Sequence, residues 1–406
     1  MTSLTFIHAA DLHLDSPFKG MQGQVPLWLF EKMRESTFRS FTRIIDKAIV
    51  ERVDFVILAG DLYDAETRSL RAQLFVRDQL KRLEEYGIQV YIIHGNHDHL
   101  GGNWEGISFS RNVHVFSQPY VEQKLYYRDG VLLAALYGFS YHQKAVRDNM
   151  TAQYKKMGDA PFHIGLLHGS LESDEDHSRY APFSIRELQE KNFDYWALGH
   201  IHKRSIVGHH PPIVYPGNIQ GRHRKELGEK GCYLVRMEAD FVTQTFIPTS
   251  DLIWHEIEVS IENLEHIDAL LQACYQALNT IRNPEGGALV SLIFSGCGEL
   301  SFYLKQELDE FIHILQSTEE REDFVYIIKY ENHTISHKAL RAQLDNPFFA
   351  SLLGEGSQFN DMDSILRPLR TSASGRQIEM FSEDEKQDIQ KEAKRILLRM
   401  IGEVER

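Results

Sequence analysis

The sequence predicts an α/β fold built on a parallel sheet, followed by a smaller α+β unit and a helical tail. Three observations carry this. Short apolar runs at 4–8, 53–58 and 88–93 alternate with long amphipathic stretches. That is a βαβαβ pattern, whose crossovers make the strands parallel. The pattern resets near 248–251, and no strand signal remains from His337 onward.

Taken in order, 4–8 (LTFIH) reads as the first strand. A helix over 28–50 follows from apolar residues at Phe30, Met33, Phe41, Ile44, Ile45, Ala48 and Ile49. VDFVIL at 53–58 is a buried strand, 69–86 a helix and 88–93 another buried strand. Further strands are expected near 113–116, 123–128, 131–137, 162–167, 194–198, 213–215, 231–237 and 241–247. Several lie close together with no helix between them, so the later half adds antiparallel pairing. After the reset, WHEIEVSI alternates as a strand, 263–281 is a helix, 289–294 a strand, 299–316 a helix and 324–330 a strand. TSASGRQ at 371–377 reads as a linker. Ser382 and Glu385 then form a capping box that opens a helix with Ile389, Ile396, Leu397, Met400 and Ile401 on one face. The expected domains are 1–250, 252–335 and 337–406.

The chain has 406 residues, 42% of them hydrophobic, which suits a soluble globular protein of two or three domains. Cys232, Cys274 and Cys297 form neither a disulfide framework nor a metal-type pair. With no signal-like N-terminus and no apolar run of membrane length, a cytoplasmic protein is expected. A net charge of −14 argues against coating in nucleic acid by bulk electrostatics, though not against a local site.

Polar clusters stand at the carboxyl ends of five strands. Asp11 and His13 follow the first, Asp61 and Asp64 the second, and HGNHDH (94–99) the third; His168 closes 162–167, and GHIH (199–202) follows 194–198. Each alone could be a polar turn. Together they occupy the edge where open α/β sheets bind ligands. Oxygen and imidazole donors without thiolates suit two divalent ions of catalytic rather than structural kind. Asp61 is the natural bridge between them. Asp11, His13 and His202 would complete one ion's protein ligands, and Asn96, His168 and His200 the other's. Two such ions about 3.5–4 Å apart clamp an in-line phosphoryl displacement. His97 would be no ligand but a general acid for the leaving oxygen, with Asp64 hydrogen-bonded to it. His94 and Asp98 are expected to support from behind, and His99 to be solvated. Mn²⁺ suits the mixed donors, with Fe²⁺ and Zn²⁺ as alternatives.

The order D-x-H, G-D-x-x-D, G-N-H-D, H, G-H-x-H over 11–202 resembles the calcineurin-like metallophosphoesterases. That resemblance implies a four-layer αββα sandwich. HAADLHLDSP at 8–17 and YPGNIQGRHRKELGEKGCYLV at 215–235 resemble the DNA-repair exonuclease branch of SbcD-type nucleases, and within it a bacterial YhaO-like group. The resemblance implies a small capping domain, here 252–335, DNA as substrate, and an ABC-type coiled-coil ATPase partner. Asp64 departs from the pattern, since archaeal and eukaryotic relatives usually carry His there. No Walker-type loop is present, so any ATP dependence belongs to a partner.

Arg222 and His223, with Arg224 and Lys225, either hold DNA phosphates near the ions or form a solvated loop. The helical tail either folds back onto its own domain or docks on a partner; the resemblance implies docking, by the tail with 337–370, on the ATPase or a second copy of the chain. The rival functions are a small-molecule phosphatase or nucleotide phosphodiesterase, and a scaffold without catalysis. Full retention of the ligand set weighs against the scaffold. No membrane partner is expected.

Overall fold

A computed structural model describes residues 3–338 apart from 65–68, 103–106, 173–179, 240, 284, 318 and 320–322. Trp104, the 371–377 linker and the 382–404 helix lie outside the described residues. The chain forms two compact units, one of Met1–His255 with Arg282–Leu289 and Arg321–Ile328, the other of the remaining segments.

In the first unit, β1 (Ser3–Ala9), α1 (Leu27–Glu51), β2 (Phe55–Ala59), α2 (Leu70–Glu85), β3 (Gln89–Ile93) and β4 (Val113–Val115) make the expected parallel array. The Ser69 hydroxyl caps α2 by accepting from Ala72 N at 3.1 Å. Arg52, left-handed at φ 50°, ends α1. There follow β5 (Glu122–Arg128), β6 (Val131–Gly138), β7 (Phe162–His168), α3 (Ile185–Gln189), β8 (Tyr195–Gly199), β9 (Ser205–His209), β10 (Pro212–Tyr215), β11 (Gly231–Glu238) and β12 (Val242–Pro248).

Two six-stranded sheets result, ordered β12-β11-β1-β2-β3-β4 and β5-β6-β7-β8-β10-β9. Antiparallel pairing appears at β5–β6, β9–β10, β11–β12 and β1–β11, while β6, β7, β8 and β10 are parallel. The sheets face one another through Phe6, Phe55, Ile57, Tyr91 and Ile93 on one side and Leu136, Ile164, Leu166 and Ala197 on the other. Alternate residues of the first sheet, Ile7, Val56, Leu58 and Ile92, pack on Phe41, Ile45, Val76 and Leu80 of the helices. Alternate residues of the second, Tyr137, Leu167, Trp196 and Leu198, pack on Tyr154, Phe183 and Leu188. Burial on both faces explains why these strands read as continuous apolar runs. This is the four-layer sandwich, with a thin outer layer on the second sheet.

After β12 come β13 (Leu252–Ser260), α4 (Ile267–Thr280), β14 (Gly287–Ser295), α5 (Leu300–Gln306), α6 (Leu308–Gln316) and β15 (Val325–Asn332), with the strands in a sheet ordered β13-β14-β15. The helix expected over 299–316 is two helices, because Glu307 leaves helical geometry at φ −119°, ψ 22°. Neither Gly nor Pro marks that break in the sequence. Trp196 and Trp254 are buried, and Trp28 lies edge-on to Phe324 and Tyr326. All three cysteines are free.

Candidate metal centre

The loops after β1 and β2 run side by side as a continuation of the ladder. Asp11 N donates to Gly60 O at 3.1 Å, His13 N to Asp61 O at 3.0 Å and Leu14 N to Leu62 O at 3.0 Å. Asp11, His13, Asp61 and His200 all take positive φ, at 52°, 43°, 53° and 100°. For non-glycine residues each such conformation costs about 1–3 kcal/mol, a cost that persists only where surrounding structure enforces it. Here the enforced strain turns four polar side chains towards one point. Glycine is required beside them. A Cβ on Gly95 would stand 2.4 Å from Asp61 Oδ1 and 2.5 Å from His168 Nε2.

The structure brings together all seven residues read as ligands. Asp11, His13 and His202 offer donor atoms within 4.8 Å of one another, as do Asp11, Asp61 and His168. Nε2 of His13 and Nε2 of His202 face each other at 3.1 Å. Asp61 Oδ2, of the second group, lies 3.4 Å from His168 Nε2 and also 3.8 Å from His13 Nε2 of the first. Asn96 Oδ1 is 3.1 Å from His168 Nε2 and 3.2 Å from His200 Nδ1. Main-chain N of His200 donates to both Asp11 oxygens at 3.1 Å.

The donor chemistry fits divalent cations. His168 Nδ1 must donate to Ala59 O, 2.9 Å away, so in the neutral ring the Nε2 lone pair points into the cluster. Burial, with Asp61's charge, raises the Asp11 pKa. Burial works against a charged His168, yet the charge and hydrogen bond of Asp61 outweigh it and lift the pKa to about 9. Burial and the Arg222 charge push His13 down to about 3. Facing lone pairs and buried carboxylates of this kind are what a bound cation satisfies.

His97 stands half-buried beside the cluster, its ring edge-on to His13 with centroids 4.9 Å apart. Its main-chain N donates to Asp61 Oδ1 at 2.9 Å. The pairing of His97 with Asp64 takes a different form from the one expected. His97 Nδ1 meets the Asp64 main-chain carbonyl at 3.0 Å, whereas the Asp64 carboxylate lies 3.2 Å from His13 Nδ1 and pairs with Arg222. The carbonyl fixes the ring as well as a carboxylate would, because it too can only accept. His13, Asp64 and His97 form a third group with donors within 4.8 Å. Arg222 therefore reaches the site, with its side chain 15% exposed, while His223 stays at the rim, 57% exposed. Arg224 and Lys225 are exposed.

Behind the cluster, Asp98 accepts from Gly95 N at 2.7 Å and Leu62 N at 2.9 Å and pairs with His94 at 2.9 Å. It thus ties the β3 loop to the β2 loop, the supporting place expected for both residues. His99 is 8% exposed, so the expectation that it is solvated does not hold. One residue escaped the sequence reading altogether. Glu226, in the loop after β10, sets Oε1 2.6 Å from His202 Nδ1. Burial opposes its ionisation, but the His202 hydrogen bond and charge, with the Arg222 N–H, hold its carboxyl far below the usual range. It stood in a run of charged residues, and no spacing rule links it to His202.

A buried cluster of His, Asp and Asn at the carboxyl edge of a four-layer sandwich defines a metal-dependent phosphoesterase. The chain belongs to the calcineurin-like phosphoesterase family, whose pattern matches residues 4–204, and the YhaO middle domain of metallophosphoesterases matches 254–335. It is 42% identical over 406 residues to the uncharacterized metallophosphoesterase YhaO of Bacillus subtilis, covering 99% of this chain and 98% of that one. It is 24% identical over 294 residues to the DNA double-strand break repair protein Mre11 of Sulfolobus acidocaldarius, covering 69% and 73% of the two chains. For Mre11 of Methanocaldococcus jannaschii the figures are 25% over 276 residues, covering 64% and 70%.

Proposed function

We propose that the chain is a two-metal phosphodiesterase acting on DNA, as the nuclease subunit of a cytoplasmic repair complex with a coiled-coil ATPase. The observation that carries the reading is Asp61 Oδ2 standing 3.8 Å from His13 Nε2 and 3.4 Å from His168 Nε2, with His97 beside them. The similarity to Mre11 proteins supports DNA as the substrate class.

In this reading Asp61 would be shared by both ions, Asp11, His13 and His202 would hold one, and Asn96, His168 and His200 would hold the other. Two divalent cations, Mn²⁺ in our assignment, would offset the phosphate charge and acidify water for attack at neutral pH. His97 protonates the leaving oxygen. Its Nδ1–H is held by the Asp64 carbonyl, so the transferred proton leaves from Nε2. Arg222 exchanges its partner Asp64 for a phosphate oxygen, and His223 at the rim contacts the next phosphate. Residues 252–335 act as a cap and 337–406 as the partner-binding region.

The test is incubation of the purified chain with end-labelled DNA and with bis-p-nitrophenyl phosphate, with and without Mn²⁺. Mn²⁺-dependent cleavage of both is expected. Hydrolysis of the small ester with intact DNA at every enzyme concentration would replace this reading with a small-molecule phosphodiesterase, which the net charge of −14 favours.

A further inference from the structure

The loop between β10 and β11 carries no residue of the ligand set, yet it is sewn to the loop that carries His202. Asn218 N donates to His202 O at 3.3 Å. Gly217, at φ 77°, passes so close that a Cβ there would stand 2.6 Å from the same carbonyl oxygen. From this loop Glu226, 8% exposed, presents Oε1 to His202 Nδ1 at 2.6 Å. Its other oxygen accepts from Arg222 N at 2.7 Å and from Asn218 Nδ2 at 2.9 Å, with Asn218 fully buried. The carboxylate is thus held at both oxygens and cannot turn away.

A carboxylate can only accept, so His202 carries its proton on Nδ1 and directs the Nε2 lone pair at the cluster. Among the described residues, Nδ1 of His168 is held by a neutral main-chain carbonyl instead, that of Ala59 at 2.9 Å. His202 differs from His168 in resting on a full negative charge, a partner that strengthens the opposite nitrogen as a metal ligand.

We infer that Glu226 is a positioning residue for His202, fixing its tautomer and ring orientation and so setting the affinity of one of the two ion sites. The inference rests on His202 being a ligand. It separates the two ions energetically, because the carboxylate acts on the Asp11–His13–His202 group and not on the Asn96–His168–His200 group.

Titration of metal-free full-length protein with Mn²⁺, followed by calorimetry and by the electron paramagnetic resonance of free Mn²⁺, tests this. Losses of about 10–100-fold accompany removal of such supporting partners. Glu226→Gln is expected to weaken one Mn²⁺ site by that factor and to leave the other unchanged. Combining it with His202→Ala should add nothing to the loss from His202→Ala alone. Near-UV circular dichroism of each metal-free variant reports whether the fold is kept. Two sites of unchanged affinity in Glu226→Gln, beside one lost in His202→Ala, would overturn the positioning role and leave the ligand reading intact. Two unchanged sites in His202→Ala would overturn both. Additive losses, or equal weakening of both sites, would show Glu226 to be merely structural and so also overturn it.

Discussion

Asp61 Oδ2 lies 3.8 Å from one imidazole Nε2 and 3.4 Å from another, and those two belong to different donor groups. An amide in its place offers a neutral oxygen, without the negative charge that would hold two cations. Asp61→Asn is expected to abolish activity and to lose bound metal by elemental analysis. Unchanged occupancy with unchanged activity would refute the bridge. His97 makes a different prediction, since its ring stands beside the cluster. His97→Ala should retain the metals and slow hydrolysis by about 10²–10⁴. The loss should shrink for nitrophenolate, which leaves without a proton; an equal loss for poor and good leaving groups counts against the acid. The sequence exposed these residues because they sit in short motifs at strand ends. It hid Glu226 and the Arg222–Asp64 pair, because they join residues 24 and 158 positions apart with no local pattern between them.

At the scale of elements, the strands were readable because apolar runs of five to eight residues are buried on both faces. Their partners were not. That β11 returns to pair with β1, and that β6, β7, β8 and β10 run parallel, are facts of long-range assembly that periodicity does not encode. The same limit hid a clip between the sheets. His8 of β1 accepts from the Tyr195 hydroxyl at Nδ1, 3.0 Å away, and donates from Nε2 to Leu198 O at 3.0 Å, both on β8. Burial lowers its pKa to about 3 from the usual 6.5. The unfolded chain therefore takes up this proton below about pH 6.5, while the folded chain stays neutral until about pH 3. Stability is lost as pH falls through that window, at up to about 1.4 kcal/mol per pH unit from this group. His8→Gln keeps one donor and one acceptor without a titrating ring. Urea midpoints of metal-free protein should fall less steeply between pH 6.5 and pH 4 in the variant than in the parent. Parallel slopes would show that His8 does not stay neutral.

For the whole molecule, the charge of −14 and the proposed DNA substrate pull in opposite directions. On the proposed reading, a nuclease of this balance would gain little from bulk attraction, and its hold on DNA would rest on a few local phosphate contacts and on the proposed partner. The sequence beyond 377 carries a capped amphipathic pattern with Ile389, Ile396, Leu397, Met400 and Ile401 at helical spacing. A lone helix of that length is marginal in water unless its apolar stripe is covered. Such helices commonly dock in the groove of another protein, and the cover proposed here is the coiled-coil ATPase or a second copy of this chain. Deleting 378–406 should then leave Mn²⁺-dependent hydrolysis of bis-p-nitrophenyl phosphate within about two-fold of the parent, because every residue of the cluster lies before 227. Co-purification with the ATPase, and the mass of the full chain in light scattering, are the readouts that should change. A truncated chain that is insoluble would place the stripe on its own fold instead. One that still holds the partner at full strength would move the docking surface elsewhere in the chain.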